Sequence, residues 1–124
     1  MKKYFIMLAM LFAMNISAIA EDNSLSEIET VKRYDIKVNT KKLGDCLQLT
    51  SDQYEAVETI VNEFSNDLMF AAVECNNVNR GIVTKNAIDK NAKHMSYVLN
   101  KEQYHKYLML LNTTIRNRKI DIIE

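Results

Sequence analysis

Leu49-Thr50-Ser51-Asp52-Gln53-Tyr54 opens one apolar-periodic run, and Leu99-Asn100-Lys101-Glu102-Gln103-Tyr104 opens another. Both stretches have the form of a helix start. A Thr or Asn side-chain oxygen at the N-cap accepts a bond from an orphan backbone N–H. A Gln three residues later can reach back to the cap residue's own N–H and complete a capping box. Thr50 with Gln53 and Asn100 with Gln103 meet that spacing. Leu49 and Leu99, each just before its cap, are placed to staple the first turn. The two boxes therefore fix where two helices begin.

The periodicity downstream fits that reading. Tyr54, Val57, Val61, Phe64, Leu68, Ala71 and Cys75 step by three and four, a heptad-like seam that predicts one long helix from Ser51 to about Asn76. Glu55, Glu58, Asn62, Glu63 and Asn66 lie opposite. Asn76, Asn77, Asn79, Arg80 and Gly81 supply turn chemistry. Thr84 is placed to cap a further helix, Lys85 to Val98, with Ile88, Asn91 or Ala92, Met95, and Val98 or Leu99 on its apolar side. After the second box, Tyr104, Leu108, Leu111 and Ile115 predict a last helix to about Asn117, with Tyr107 and Leu110 beside the stripe. Arg116, Arg118 and Lys119 stand at its negative end. Upstream, Asn39 and Thr40 can cap a short helix, Lys41 to Leu47, with Leu43, Cys46 and Leu47 on one side. Gly44 weakens it. Residues 31–38 alternate, with Tyr34, Ile36 and Val38 against Asp35 and Lys37. With no second strand in the chain to pair with, this stretch reads as an extended arm laid over the helices, or an edge that pairs in an oligomer.

The expected fold is all-α: a small antiparallel helical hairpin or three-helix bundle, with a short N-terminal helix and an extended arm. Residues 1–20 read as a signal peptide, 21–38 as the arm and 39–124 as the helical domain. Lys2 and Lys3 form a positive n-region, Tyr4 to Met14 an apolar core, and Ala18-Ile19-Ala20 a small-residue cleavage site. Cleavage after Ala20 gives an exported chain, periplasmic or secreted, with no stable membrane insertion. The apolar run is too short to span a bilayer, which needs about 20 apolar residues.

Removing the two leader lysines leaves 14 basic residues against 16 acidic, a net charge of −2. Phosphate binding wants a basic excess, so nucleic acid is not an expected partner. Export makes a disulfide between Cys46 and Cys75 the first thought. A straight helix over 51–76 would be about 39 Å long, and it would hold the two residues at opposite ends. Cα atoms must come within about 7 Å for a bridge, so two buried thiols are expected.

No nucleophile motif, carboxylate cleft or cofactor signature is present, and the chain reads as a non-enzyme without a cofactor. His94, His105 and Glu102 could be imagined as an envelope metal sensor. The His-Glu-x-x-His arrangement is absent, so no metal ligand is assigned and both histidines are expected at the surface. Tyr54, Met69, Met95, Tyr104 and Tyr107 are the candidate polypeptide-binding residues, because adaptable methionines and amphipathic tyrosines suit varied partners.

The doubled Leu-Thr-x-x-Gln pattern resembles the Spy/CpxP family of periplasmic proteins. Residues 49–53 carry it in full, and residues 99–103 keep it except for Asn100 in place of Thr. The resemblance implies an all-helical, ATP-independent chaperone or envelope-stress protein that binds unfolded or partner polypeptides and forms a homodimer. The alternative from the residues alone is a structural module that associates with itself or with one dedicated partner.

Overall fold

The structure, a computed structural model, describes residues 25–120. Five helices fill that span: α1 (Leu25–Tyr34), α2 (Thr40–Leu47), α3 (Ser51–Glu74), α4 (Asn77–Val98) and α5 (Lys101–Arg118). Among the described residues there is no strand. Residues 1–24, which include the stretch read as a signal peptide, and the last four residues lie outside them.

The chain runs up and down between two ends. α3 leaves the end that holds the doubled motif, α4 returns to it, and α5 leaves it again. α2 finishes at the same end, where its Leu47 carbonyl accepts a bond from Gln103. Further along, Ser65 of α3 donates to the Ile36 carbonyl at 2.8 Å. α1, residues 35–39 and α2 thus form a broken fourth rod beside α3, and α2 also touches α5. The loose ends of α1 and α5 cap one another: Arg33 donates to the Lys119 carbonyl and Arg118 to the Lys32 carbonyl. Each cation satisfies a carbonyl that its neighbouring helix leaves orphaned. Burial lowers the pKa of Arg118, and nearby Asp35 opposes that shift.

The seam of α3 is inside. Val57, Val61, Phe64, Leu68 and Ala71 are buried, together with Met95 of α4, Leu110 and Leu111 of α5, and Leu43 of α2. Gly44 of α2 is buried because the Tyr54 ring occupies the space beside it. A Cβ there would stand 3.0 Å from the ring. The residue that lowers helix propensity is thus the one that admits the close approach.

Several details depart from the sequence reading. Residues 25–34, read as part of the arm, form helix α1. Ile28, Val31 and Tyr34 recur every third residue, a helical stripe hidden by the overlapping alternation of Tyr34, Ile36 and Val38. Tyr34 and Ile36 are buried in the core, and only residues 35–39 lie between helices. The turn expected over 76–81 shrinks to two residues, because Asn76 caps α4 by accepting from the Asn79 N–H at 2.9 Å. Arg80 then folds back over the C-terminus of α3. It donates to the carbonyls of Ala71 at 3.0 Å and Cys75 at 2.7 Å. A helix can therefore end without a left-handed residue, since a guanidinium meets its orphan carbonyls. Finally, the α5 stripe is rotated: Tyr107, Leu110, Leu111, Thr114 and Ile115 are buried, while Tyr104 and Leu108 are half-buried.

The buried side of α4 carries Gly81, Thr84, Ala87, Asn91 and Met95, so Thr84, expected as a cap, lies inside the helix, and Asn91 rather than Ala92 faces the core. Neither is at the surface: Thr84 is buried in the core, and Asn91 accepts a 2.6 Å bond from the Tyr107 hydroxyl. Thr84 Oγ1 and Asn91 Nδ2 are buried with no partner. An unpaired buried hydroxyl costs about 1–3 kcal/mol. Thr84→Val keeps the shape and removes the hydroxyl, so it is expected to raise stability by about 1 kcal/mol, read as an upward shift of the urea midpoint.

Tyr107 gives the fold a sensitivity to alkali. Burial pushes its phenol pKa well up. Above pH 10, where an unperturbed tyrosine ionises, the unfolded chain loses this proton and the folded chain keeps it. The stabilisation is complete below pH 10 and declines by about 1.4 kcal/mol per pH unit above it. Urea titrations from pH 9 to 11.5 should show that decline in the wild type and a shallower one in Tyr107→Phe.

Candidate functional site

The doubled motif builds one joint. At the start of α3 the Thr50 hydroxyl accepts from the Gln53 N–H at 3.2 Å, and the Gln53 carbonyl oxygen accepts from the Thr50 N–H at 3.0 Å. At the start of α5 the Asn100 and Gln103 pair repeats this at 2.8 and 2.9 Å. The two boxes also meet. Gln53 Nε2 donates to Gln103 Oε1 at 2.8 Å, and Gln103 Nε2 donates to Gln53 Oε1 at 3.2 Å. Their remaining donor capacity reaches comparable places: Gln53 bonds the Val98 carbonyl at 3.0 Å, and Gln103 bonds the Leu47 carbonyl at 3.1 Å and, more weakly, the Gln48 carbonyl at 3.4 Å. Gln53 and Gln103 are fifty positions apart, and so are Gln48 and Val98. The joint therefore has an approximate two-fold relation, and it ties together the ends of α2, α3, α4 and α5.

This joint is structural chemistry. An amide pair offers neither a proton at physiological pH nor a nucleophile. Beside it lies a shallow recess lined in part by Leu47, Gln48, Gln103, His105 and Lys106. Glu102 and His105 are exposed, and His94 is half-buried on α4. Among the described residues no group of three or more His, Cys, Asp or Glu side chains is arranged to hold a metal ion. Cys46 and Cys75 are free and half-buried.

The opposite end of the α3–α4 hairpin is different in character. Phe70 and Val73 stand on the outside of α3, and Val78 and Ile82 on the outside of α4, all exposed. Phe70 shares a cleft with Val83, Asn86 and Ala87, walled by Asp67 and Lys90. Lys90 bonds Asp67 at 2.9 Å and Glu63 at 3.2 Å. Those two carboxylates, Asp67 first, raise the pKa of its ammonium. These are four of six large apolar side chains exposed among the described residues, Tyr97 and Met109 being the others, and several such side chains near one end of a hairpin commonly mark an interaction surface.

The candidate binding residues fall elsewhere. Met95 and Tyr107 are fully buried, so in this conformation neither reaches a partner. Tyr54, Met69 and Tyr104 are half-buried, the last two against the core. Of the motif residues, Leu99 and Gln103 are buried, Leu49 and Gln53 half-buried, and Thr50 and Asn100 exposed. Phe70, Val73, Val78 and Ile82 were not singled out from the sequence. The signal was there: Phe70 follows seam residue Leu68 by two positions, about 200° round the helix, which puts a phenyl ring on the wet side.

Set against known proteins, the chain matches no family model, no curated relative and no solved structure. No described helix is long and apolar enough to cross a membrane.

Proposed function

We propose that this chain is an exported, non-enzymatic helical protein that binds other polypeptides without ATP, in the manner of the Spy/CpxP proteins whose doubled motif it resembles. The leader-like residues 1–20 support export. The observation that carries the binding role is the exposed apolar end of the α3–α4 hairpin, where Phe70, Val73, Val78 and Ile82 keep about half or more of their surface in water. A bundle held at its motif end by the Gln53–Gln103 joint can present that far end without opening its core.

The test is suppression of aggregation of a chemically denatured client by the purified protein, followed by light scattering with no nucleotide added. Lowered scattering at a few-fold molar excess is expected. Scattering identical to that of a matched inert protein, across the same range, would remove the proposal.

A further inference from the structure

α3 carries six acidic residues, Asp52, Glu55, Glu58, Glu63, Asp67 and Glu74, and no Lys or Arg. All but Asp67 are exposed. Glu63 and Asp67 share Lys90, while no ion pair is found for Asp52, Glu55, Glu58 or Glu74 among the described residues. The outer side of this one helix thus runs from an apolar end at Phe70 and Val73 to an acidic end at Glu55 and Glu58. We infer that this side of α3, with the cleft beside Phe70, docks a cationic amphipathic helix of a partner polypeptide. This rests on the polypeptide-binding reading and names the partner's chemistry and the place it sits.

Two physical arguments select that occupant. A second copy that set its own α3 against this one, in either sense, would bring together two helices that each carry six acidic residues and no Lys or Arg, and like charges in juxtaposition disfavour association. A cationic helix meets one like charge, Lys90 at the cleft wall, and that ammonium is already paired with Asp67 and Glu63. The partner helix's apolar residues at i, i+3 or i+4 and i+7 would cover Phe70 and Val73 on the outside of α3, the usual way a helix lies against an apolar stripe. Its lysines or arginines would then reach the unpaired carboxylates. Phe70 and Glu58 are separated by about 18 Å along the helix axis, so a partner segment of about 15 residues spans both ends.

The experiment uses two fluorescein-labelled synthetic helices of matched length and apolar pattern, one bearing four lysines on its polar side and the other four glutamates. Anisotropy is read with the wild-type protein, with Glu55→Lys/Glu58→Lys, and with Phe70→Ser. These side chains are exposed, so each variant should keep its helical circular dichroism. Val73→Ser replaces Phe70→Ser if that variant does not. The lysine peptide should bind the wild type, weaken about tenfold in either variant, and weaken further as salt is raised. Equal binding of both peptides, or unchanged binding in both variants, would overturn the assignment. The client-aggregation assay is run on the same three proteins. Suppression that survives in both variants would leave the general role standing and remove this site. Loss of peptide binding in the variants, beside a wild type that fails to suppress aggregation, would support the site and remove the chaperone role.

Discussion

Phe64→Ala should lower the stability of the folded protein by about 3–5 kcal/mol. Phe64 lies at the middle of the α3 seam and is 2% exposed. It sits among the buried side chains that all four rods contribute, so truncation removes apolar contact and leaves a cavity that flanking helices cannot fill without bending. A small domain has a total stability of about 5–15 kcal/mol, so the variant should melt far below the wild type or be partly unfolded at room temperature. Urea denaturation followed by circular dichroism reads the change. A loss under about 1 kcal/mol would mean that α3 is not the axis of the core.

Gln103→Leu is the second large effect, expected at about 2–4 kcal/mol. The side chain is 8% exposed, and it serves several groups at once. Its oxygen accepts from the Asn100 N–H and from Gln53, and its nitrogen donates to the carbonyls of Leu47 and Gln48. A leucine of similar volume fills the space and satisfies none of them. The cost is therefore that of stranding partners, which exceeds the net worth of the bonds themselves. Thr50→Ala, at an exposed cap with one such bond, should cost only about 1 kcal/mol by comparison. If the two substitutions are equally mild, Gln103 is a local cap and nothing more.

Much of this architecture could be read from side-chain type and spacing. The starts of α3 and α5 follow from Thr50, Gln53, Asn100 and Gln103, because capping is a local event that three or four residues decide. The α3 seam follows from uninterrupted apolar recurrence. What escaped the reading has a common physical cause: polar residues whose partners are distant in sequence. Thr84 is polar and buried inside α4, so it reads as a cap although the helix begins seven residues earlier. Arg80 terminates α3 by reaching back to carbonyls of the preceding helix, so the Asn-rich turn is shorter than its composition implied. Tyr34 and Ile36 alternate like a strand because they straddle a helix end. The meeting of Gln53 with Gln103 is likewise invisible to a local pattern, although the repeat at fifty residues marks both partners. At the surface, Phe70 is exposed and escapes a periodic pattern, because periodicity groups the residues that share a face and Phe70 matters for being off it.

The idea on which the rest depends is that the two capping boxes form a single joint, closing one end of the bundle so that the far end can face a partner. A double-mutant cycle on Gln53→Ala and Gln103→Ala, with folding free energies from urea titration, tests this most directly. Two glutamines bonded to each other should be coupled, and the double variant should lose about 1–2 kcal/mol less than the sum of the singles. Losses that add to within about 0.3 kcal/mol would contradict the account, since they would show two independent helix caps that merely lie near each other.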